Sequence, residues 1–142
     1  MKKIPLFASA VLVAALAGCA SGTPAGPGTP QSISGTWKLS TQTDATGELD
    51  LADQAITLSI SNKRGEGRAP CNGYGFELDR TATGPVVLTP GPHTMMACAE
   101  QNLMDVENRY LAAIDKVDYA DLKGHTLVLS GKGVTLTYSP AD

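Results

Sequence analysis

Apolar residues alternate with other residues over Trp37 and Leu39, over Ile56, Leu58 and Ile60, over Tyr74, Phe76 and Leu78, and over Val134, Leu136 and Tyr138. A period of two puts the apolar side chains of each segment on one face, so all four read as half-buried strands. Val86 to Leu88, Leu122 and Thr126 to Leu129 are further strand candidates, and Ser130-Gly131-Lys132-Gly133 reads as the turn of a terminal hairpin. Asn72-Gly73 reads as a type I′ turn, because both residues tolerate positive φ. The alternative for Asn72 is a side chain that braces backbone near the start of the helix. Gly65 and Gly67, with Gly73 and Gly75, lack the context of a phosphate loop and read as bulges and bends in strands.

Between Cys98 and Lys116 the period changes. Leu103, Met104 and Val106, then Tyr110, Leu111 and Ile114, recur at three and four, which predicts an amphipathic helix. Glu100, Asp105, Glu107, Asn108 and Asp115 fall to its water-facing side in this reading. The apolar stripe must then lie against the strands, and their short connections favour antiparallel pairing. The expected fold class is α+β: a curved antiparallel sheet or incomplete β-barrel covered by one amphipathic helix, with one disulfide.

The amino end follows a different rule. Lys2 and Lys3 precede an almost wholly apolar run from Ile4 to Ala17, shorter than the about 18 residues of a spanning helix and typical of an export signal. Leu16-Ala17-Gly18-Cys19 closes the run and resembles the lipobox of bacterial lipoproteins, in which the cysteine receives diacylglycerol; an ordinary signal peptide with a chance cysteine is the alternative. Residues 1–18 are thus expected to be a signal peptide and Cys19 a lipidation site. Residues 19–31, rich in glycine, proline, serine and threonine, read as a tether of roughly 30 to 40 Å when extended. Residues 32–142 suffice for one domain. Ala20 follows the cysteine where an inner-membrane retention signal would place aspartate, so the expected address is the outer membrane, facing the periplasm.

Charge and cysteine count narrow the picture. The chain carries 11 basic and 14 acidic residues, a net charge of −3, and loss of Lys2 and Lys3 with the leader deepens the acidic excess. That excludes a basic nucleic-acid footprint. Lys63, Arg64 and Arg68 form a local positive cluster, read as a solvated hairpin with anion or lipid head-group binding as the alternative. With Cys19 lipidated, Cys71 and Cys98 remain as an even pair in an oxidising compartment, and a disulfide is expected. A metal site recruiting His93 and His125 is not expected, because no close Cys-x-x-Cys or His-x-x-x-His pair anchors it.

Two patches carry a family likeness: Gly67-Arg68-Ala69-Pro70-Cys71-Asn72-Gly73-Tyr74-Gly75, and Thr94-Met95-Met96-Ala97-Cys98 with Glu107, Tyr110 and Leu111 following in the helix. They resemble the META or HslJ-like domain, whose pattern has a Gly-Cys-Asn segment, a Thr-x-x-Ala-Cys segment leading into a helix, and an early tryptophan matched by Trp37. The likeness spans about Ser34 to Ser139, with Asn72, Gly73, Thr94 and Ala97 as motif positions; Pro70 stands where the family commonly has glycine. The resemblance implies an exported lipoprotein associated with envelope stress, and it brings no catalytic residue, metal or cofactor.

The preferred function is therefore a membrane-anchored, non-enzymatic accessory or binding module. Its expected partner is an envelope protein or an apolar ligand, its expected surface the helix and the sheet opening. Met95 and Met96 are candidate lining of that groove, with gap-filling in the core as their other reading. A small periplasmic hydrolase is one alternative, for which His93 or His125 would have to meet a Ser, Asp or Glu. A purely structural envelope module is the other. Asp118 and Asp121 read as solvated carboxylates at a strand end.

Overall fold

A computed structural model describes residues 28–142 of the chain. The leader, Cys19 and the tether as far as residue 27 lie outside the described residues. In chain order the elements are β1 (Gly35–Asp44), β2 (Gly47–Glu48), β3 (Thr57–Ser61), β4 (Arg64–Arg68), β5 (Gly73–Leu78), β6 (Gly84–Pro85), β7 (Leu88–His93), α1 (Gln101–Ile114), β8 (Val117–Lys123), β9 (Thr126–Gly131) and β10 (Val134–Pro140).

Every strand pairing is antiparallel, in the order β6-β8-β9-β10-β1-β3-β4-β5-β7, with β2 on β1. Strands β6 and β7 stand at opposite ends of that order, yet only Val86 and Val87 separate them. The Val86 N–H donates to the Asp118 carbonyl of β8, and the Asp79 N–H, just past β5, donates to the Val87 carbonyl. Two residues can bridge the two edges only because the sheet curls back on itself into a half-barrel, which α1 covers. Edge strand β7 carries Pro90 and Pro92, and proline gives a further strand no N–H to pair with.

The predicted alternation appears as buried positions on the concave face: Trp37 and Leu39, Leu58 and Ile60, Tyr74, Phe76 and Leu78, and Val134, Leu136 and Tyr138, joined there by Leu127 and Leu129 of β9. Burying each such side chain contributes about 1.5–3 kcal/mol. In β1 the parity changes. A register shift between Leu39 and Thr41 turns Gln42, not Thr41, into the core, where it is fully buried. Its Nε2 donates to the Arg109 carbonyl of α1 at 3.1 Å, and Arg109 grips Asp44 at the end of the same strand at 2.9 Å.

Three local readings are corrected. The type I′ geometry sits at Asn62 and Lys63, with φ of 49° and 60°, joining β3 to β4 across the Ser61–Arg64 pair; neither Asn72 nor Gly73 has positive φ, and the β4–β5 connection is the longer Ala69–Asn72 turn. Gly65 and Gly67 form no bulge, since β4 pairs in continuous register on both sides. They are glycines because the core leaves no room: a Cβ on Gly65 would lie 2.2 Å from Phe76 Cζ, and one on Gly67 would lie 1.9 Å from the Thr57 carbonyl oxygen. Val86 and Val87 are the link between two strands rather than part of one.

Candidate functional site

The motif residues converge on one carboxylate. Glu107, expected on the water-facing side of the helix, is only 3 % exposed. It lies four residues after Leu103 and three before Tyr110, so helix geometry carries it inward with the apolar stripe. The spacing contains that signal, and the acidic residue type obscures it. Glu107 Oε2 accepts from the backbone N–H groups of Cys71 at 2.8 Å and Asn72 at 2.9 Å, while Oε1 accepts from Asn72 Nδ2. A buried carboxylate is tolerable when its lone pairs are answered in this way.

Asn72 extends the network to the segment before the helix. Its Nδ2 donates to the Met96 carbonyl at 2.9 Å, and its Oδ1 accepts from the Thr94 hydroxyl at 2.8 Å and from the Met96 N–H at 2.7 Å. With the bond to Glu107, both donors and both lone pairs of the side-chain amide are used. The Thr94 oxygen accepts from the Gly73 N–H at 3.0 Å. Cys71 and Cys98 are joined, with Cα atoms 5.5 Å apart. The two cysteines are 27 residues apart in the chain, and closing a loop of that length restricts the unfolded chain by about 3.5 kcal/mol in the entropic model. Cys71, Cys98 and Glu107 bring three potential metal-ligating atoms together, but the sulfurs are bonded to each other and offer no thiolate. Ala97 is exposed between Met96 and Cys98, and nothing in the structure explains its place in the motif.

Below this knot a chain of tyrosines links helix to sheet. Tyr138 and Tyr110 hydroxyls are 3.0 Å apart, the Tyr110 hydroxyl meets that of Tyr74, and Tyr74 donates to the Thr57 carbonyl at 2.7 Å. Since Tyr74 uses its single proton on Thr57, the chain runs Tyr138 to Tyr110 to Tyr74 to the carbonyl. Burial, the first cause in each case, pushes all three phenols well above their usual range. Gly67 belongs to this arrangement, because its missing Cβ lets the Tyr74 hydroxyl reach Thr57.

The predicted opening between helix and sheet is consequently filled. Val106, Tyr110, Ala113 and Ile114 pack into it, with Tyr110 fully buried. Nor do Met95 and Met96 fill the core: they are 88 % and 59 % exposed. The open space lies on the outer face of β3, β4, β5 and β7, a groove of about 870 Å³. Gly73 and Gly75 leave its floor low, for a Cβ on either would meet nothing closer than 3.5 Å. Arg64, Glu66 and Arg68 project from β4 beside it, and His93 and Thr94 form the end from which the chain runs on to Met95. Lys63, the third member of the predicted positive cluster, sits in the adjoining turn. His125 is elsewhere, exposed in the β8–β9 turn, and Asp121 on β8 accepts from the Leu122 N–H. Among the described residues no helix is long and apolar enough to cross a membrane.

A curled antiparallel half-barrel, closed by one helix and locked by a disulfide and a buried carboxylate, is the class that fold and site define. The profile of the META domain matches residues 31–142, and the chain belongs to that family. Among solved structures it is similar to the NMR structure of a protein from Burkholderia xenovorans, with 23 % identity, a TM-score of 0.60, and coverage of 97 % of this chain and 99 % of that one. A second NMR structure shares 22 % identity with a TM-score of 0.52 over 78 % of this chain and 92 % of its own. These likenesses bear on the fold alone. Among curated proteins, none matches the chain.

Proposed function

We propose that this META-domain protein is a lipid-anchored module of the outer membrane that faces the periplasm, has no chemistry of its own, and holds a segment of an envelope protein as an accessory under stress. The observation that carries the binding reading is that Met95 and Met96 follow directly on Thr94, which lines the end of the outer groove, and stand exposed there rather than folded away. An extended segment suits a shallow, glycine-floored groove, and exposed methionines adapt to varied apolar partners. The anchoring half of the proposal rests on the Lys2 to Cys19 pattern of the sequence.

The two halves are compatible in space. The chain enters the domain where Gln31 and Thr83 exchange hydrogen bonds, shortly beyond the Leu78 end of β5. Met95 leaves from the Gly73 end, and β5 between the two ends is about 17 Å long at a strand rise of roughly 3.4 Å per residue. A tether rooted at Cys19 would leave the methionine end free to meet a partner.

Crosslinking in intact membranes tests this, comparing wild type with Cys19→Ala and Gly75→Leu. The leucine side chain introduced by the second substitution would occupy the groove without touching the core. A partner captured by wild type and lost in both variants is the expected result. Equal capture by Gly75→Leu would sink the groove reading, and a wild-type chain whose Cys19 carries no acyl mass would sink the anchor.

A further inference from the structure

The loop from Thr94 to Glu100 concentrates the accessible sulfur of the domain. Met95 is 88 % and Met96 59 % exposed, whereas Met104 is half-buried on α1. Among the described residues both cysteine sulfurs are joined in the disulfide, so no thiol competes. Trp37 and the tyrosines of the central chain, other oxidisable groups, are buried. Reactivity of a thioether with a two-electron oxidant follows its access to solvent.

Oxidation of a methionine usually damages a fold, because the polar sulfoxide replaces an apolar side chain in a packed site. Here the loop owes its shape to other groups. Asn72 holds the Met96 backbone through both its N–H and its carbonyl, Thr94 is fixed through its hydroxyl and through its N–H to the Gly73 carbonyl, and Cys98 is covalently tied to Cys71. None of these anchors uses a methionine sulfur.

We infer that Met95 and Met96 form a methionine-oxidation site for peroxides, in which both sulfurs become sulfoxides while the fold stays intact. With hydrogen peroxide, one S–O bond forms as the O–O bond breaks. The sulfur loses two electrons, the peroxide is reduced, and its second oxygen leaves as water after taking up the transferred proton. The outcome is a surface switch: two exposed apolar side chains just past the Thr94 end of the groove become polar. That this alters partner binding rests on the proposed function, whereas the oxidation site itself does not.

The test uses the full-length protein in detergent, exposed to graded hydrogen peroxide, with occupancy at Met95, Met96 and Met104 read by peptide mass spectrometry. Met95 and Met96 are expected to convert about tenfold faster than Met104, with that difference lost in denaturant. The melting temperature of the doubly oxidised protein should stay within about 2 °C of the starting value. Equal rates at Met95 and Met104 in the folded protein, or a larger fall in melting temperature, would overturn the inference. A Met95→Leu/Met96→Leu variant gives a second reading: it should take up less oxygen by two atoms per chain, and undiminished uptake would also overturn it. Crosslinked capture by the oxidised protein separates the consequence from the site, since unchanged capture would remove the switch and leave the site standing on its rates.

Discussion

Asn72 is bonded to Glu107 twice, through its backbone N–H at 2.9 Å and through its side-chain Nδ2. The β4–β5 turn and the helix are thereby fixed to one another by a charge that water scarcely reaches. The remaining bonds of the same amide carry the constraint to Met96, so a single asparagine sets the relative position of a turn, a loop and a helix.

Removing that charge should be costly. Glu107→Gln puts an N–H₂ group where one carboxylate oxygen now accepts, and it is expected to destabilise the protein by about 2–3 kcal/mol, as befits charge-assisted hydrogen bonds broken in a buried site. Asn72→Asp should be no milder, because it loses both amide donors and sets a second carboxylate against the first. Urea unfolding with an unchanged m-value is the measurement. A loss below about 0.5 kcal/mol for either variant would mean that the network is not under stress.

Glycines of β4 and β5 should divide sharply. Gly65→Ala and Gly67→Ala force a Cβ into the Phe76 ring and the Thr57 carbonyl, at 2.2 and 1.9 Å respectively, and each should cost about 2–3 kcal/mol or prevent folding. Gly75→Ala meets only ordinary contacts at 3.5 Å and should fall within about 1 kcal/mol of wild type. Thermal melts of the three variants suffice to compare them. The order would be wrong if Gly75→Ala proved the most harmful.

Stability should fall off at both ends of the pH scale, for opposite reasons. The Thr46 hydroxyl and N–H, and then Arg109, hold the Asp44 carboxyl at about 2 against the opposing effect of desolvation. A folded value below the unfolded one of roughly 3.9 contributes stability above about pH 4 that is lost as pH falls toward 2. Buried Tyr74, Tyr110 and Tyr138 are shifted upward, so the unfolded chain releases protons near pH 10 that the folded one keeps, and stability present below about pH 10 is lost above it. Urea midpoints across pH should show both limbs, with Asp44→Asn flattening the acid limb and Tyr110→Phe the alkaline one. Unaltered limbs in these variants would refute the assignments.

Alternation is enough to find β1, β3, β5 and β10, the run from Thr126 to Leu129 points to β9, and periodicity is enough to find α1, because burying one face of a local element is a local property. The Cys71–Cys98 disulfide also agrees with the pairing expected from cysteine parity once Cys19 is set aside for lipid. Gln42 and Glu107 are harder. A strand bulge inverts the parity that would have placed Thr41 inside, and a glutamate in an apolar stripe is intelligible only once its donors on a distant turn are known. Asn72-Gly73 matches a turn signature, but the turn backbone is determined by what Glu107 and Thr94 demand of it.

The sequence by itself determined that the domain would be a curved antiparallel sheet beneath one helix, and which apolar faces would meet, since those follow from residue periods of two and of three to four. Only the tertiary structure decided that Val106, Tyr110, Ala113 and Ile114 fill the space between helix and sheet, that the open groove lies on the opposite face, and that Met95 and Met96 stand in solvent. Those outcomes depend on side-chain volume and on contacts between residues far apart in the chain: three tyrosines and two close-packed glycines fill one space, and Gly73 and Gly75, which have no side chain to project, leave the other open.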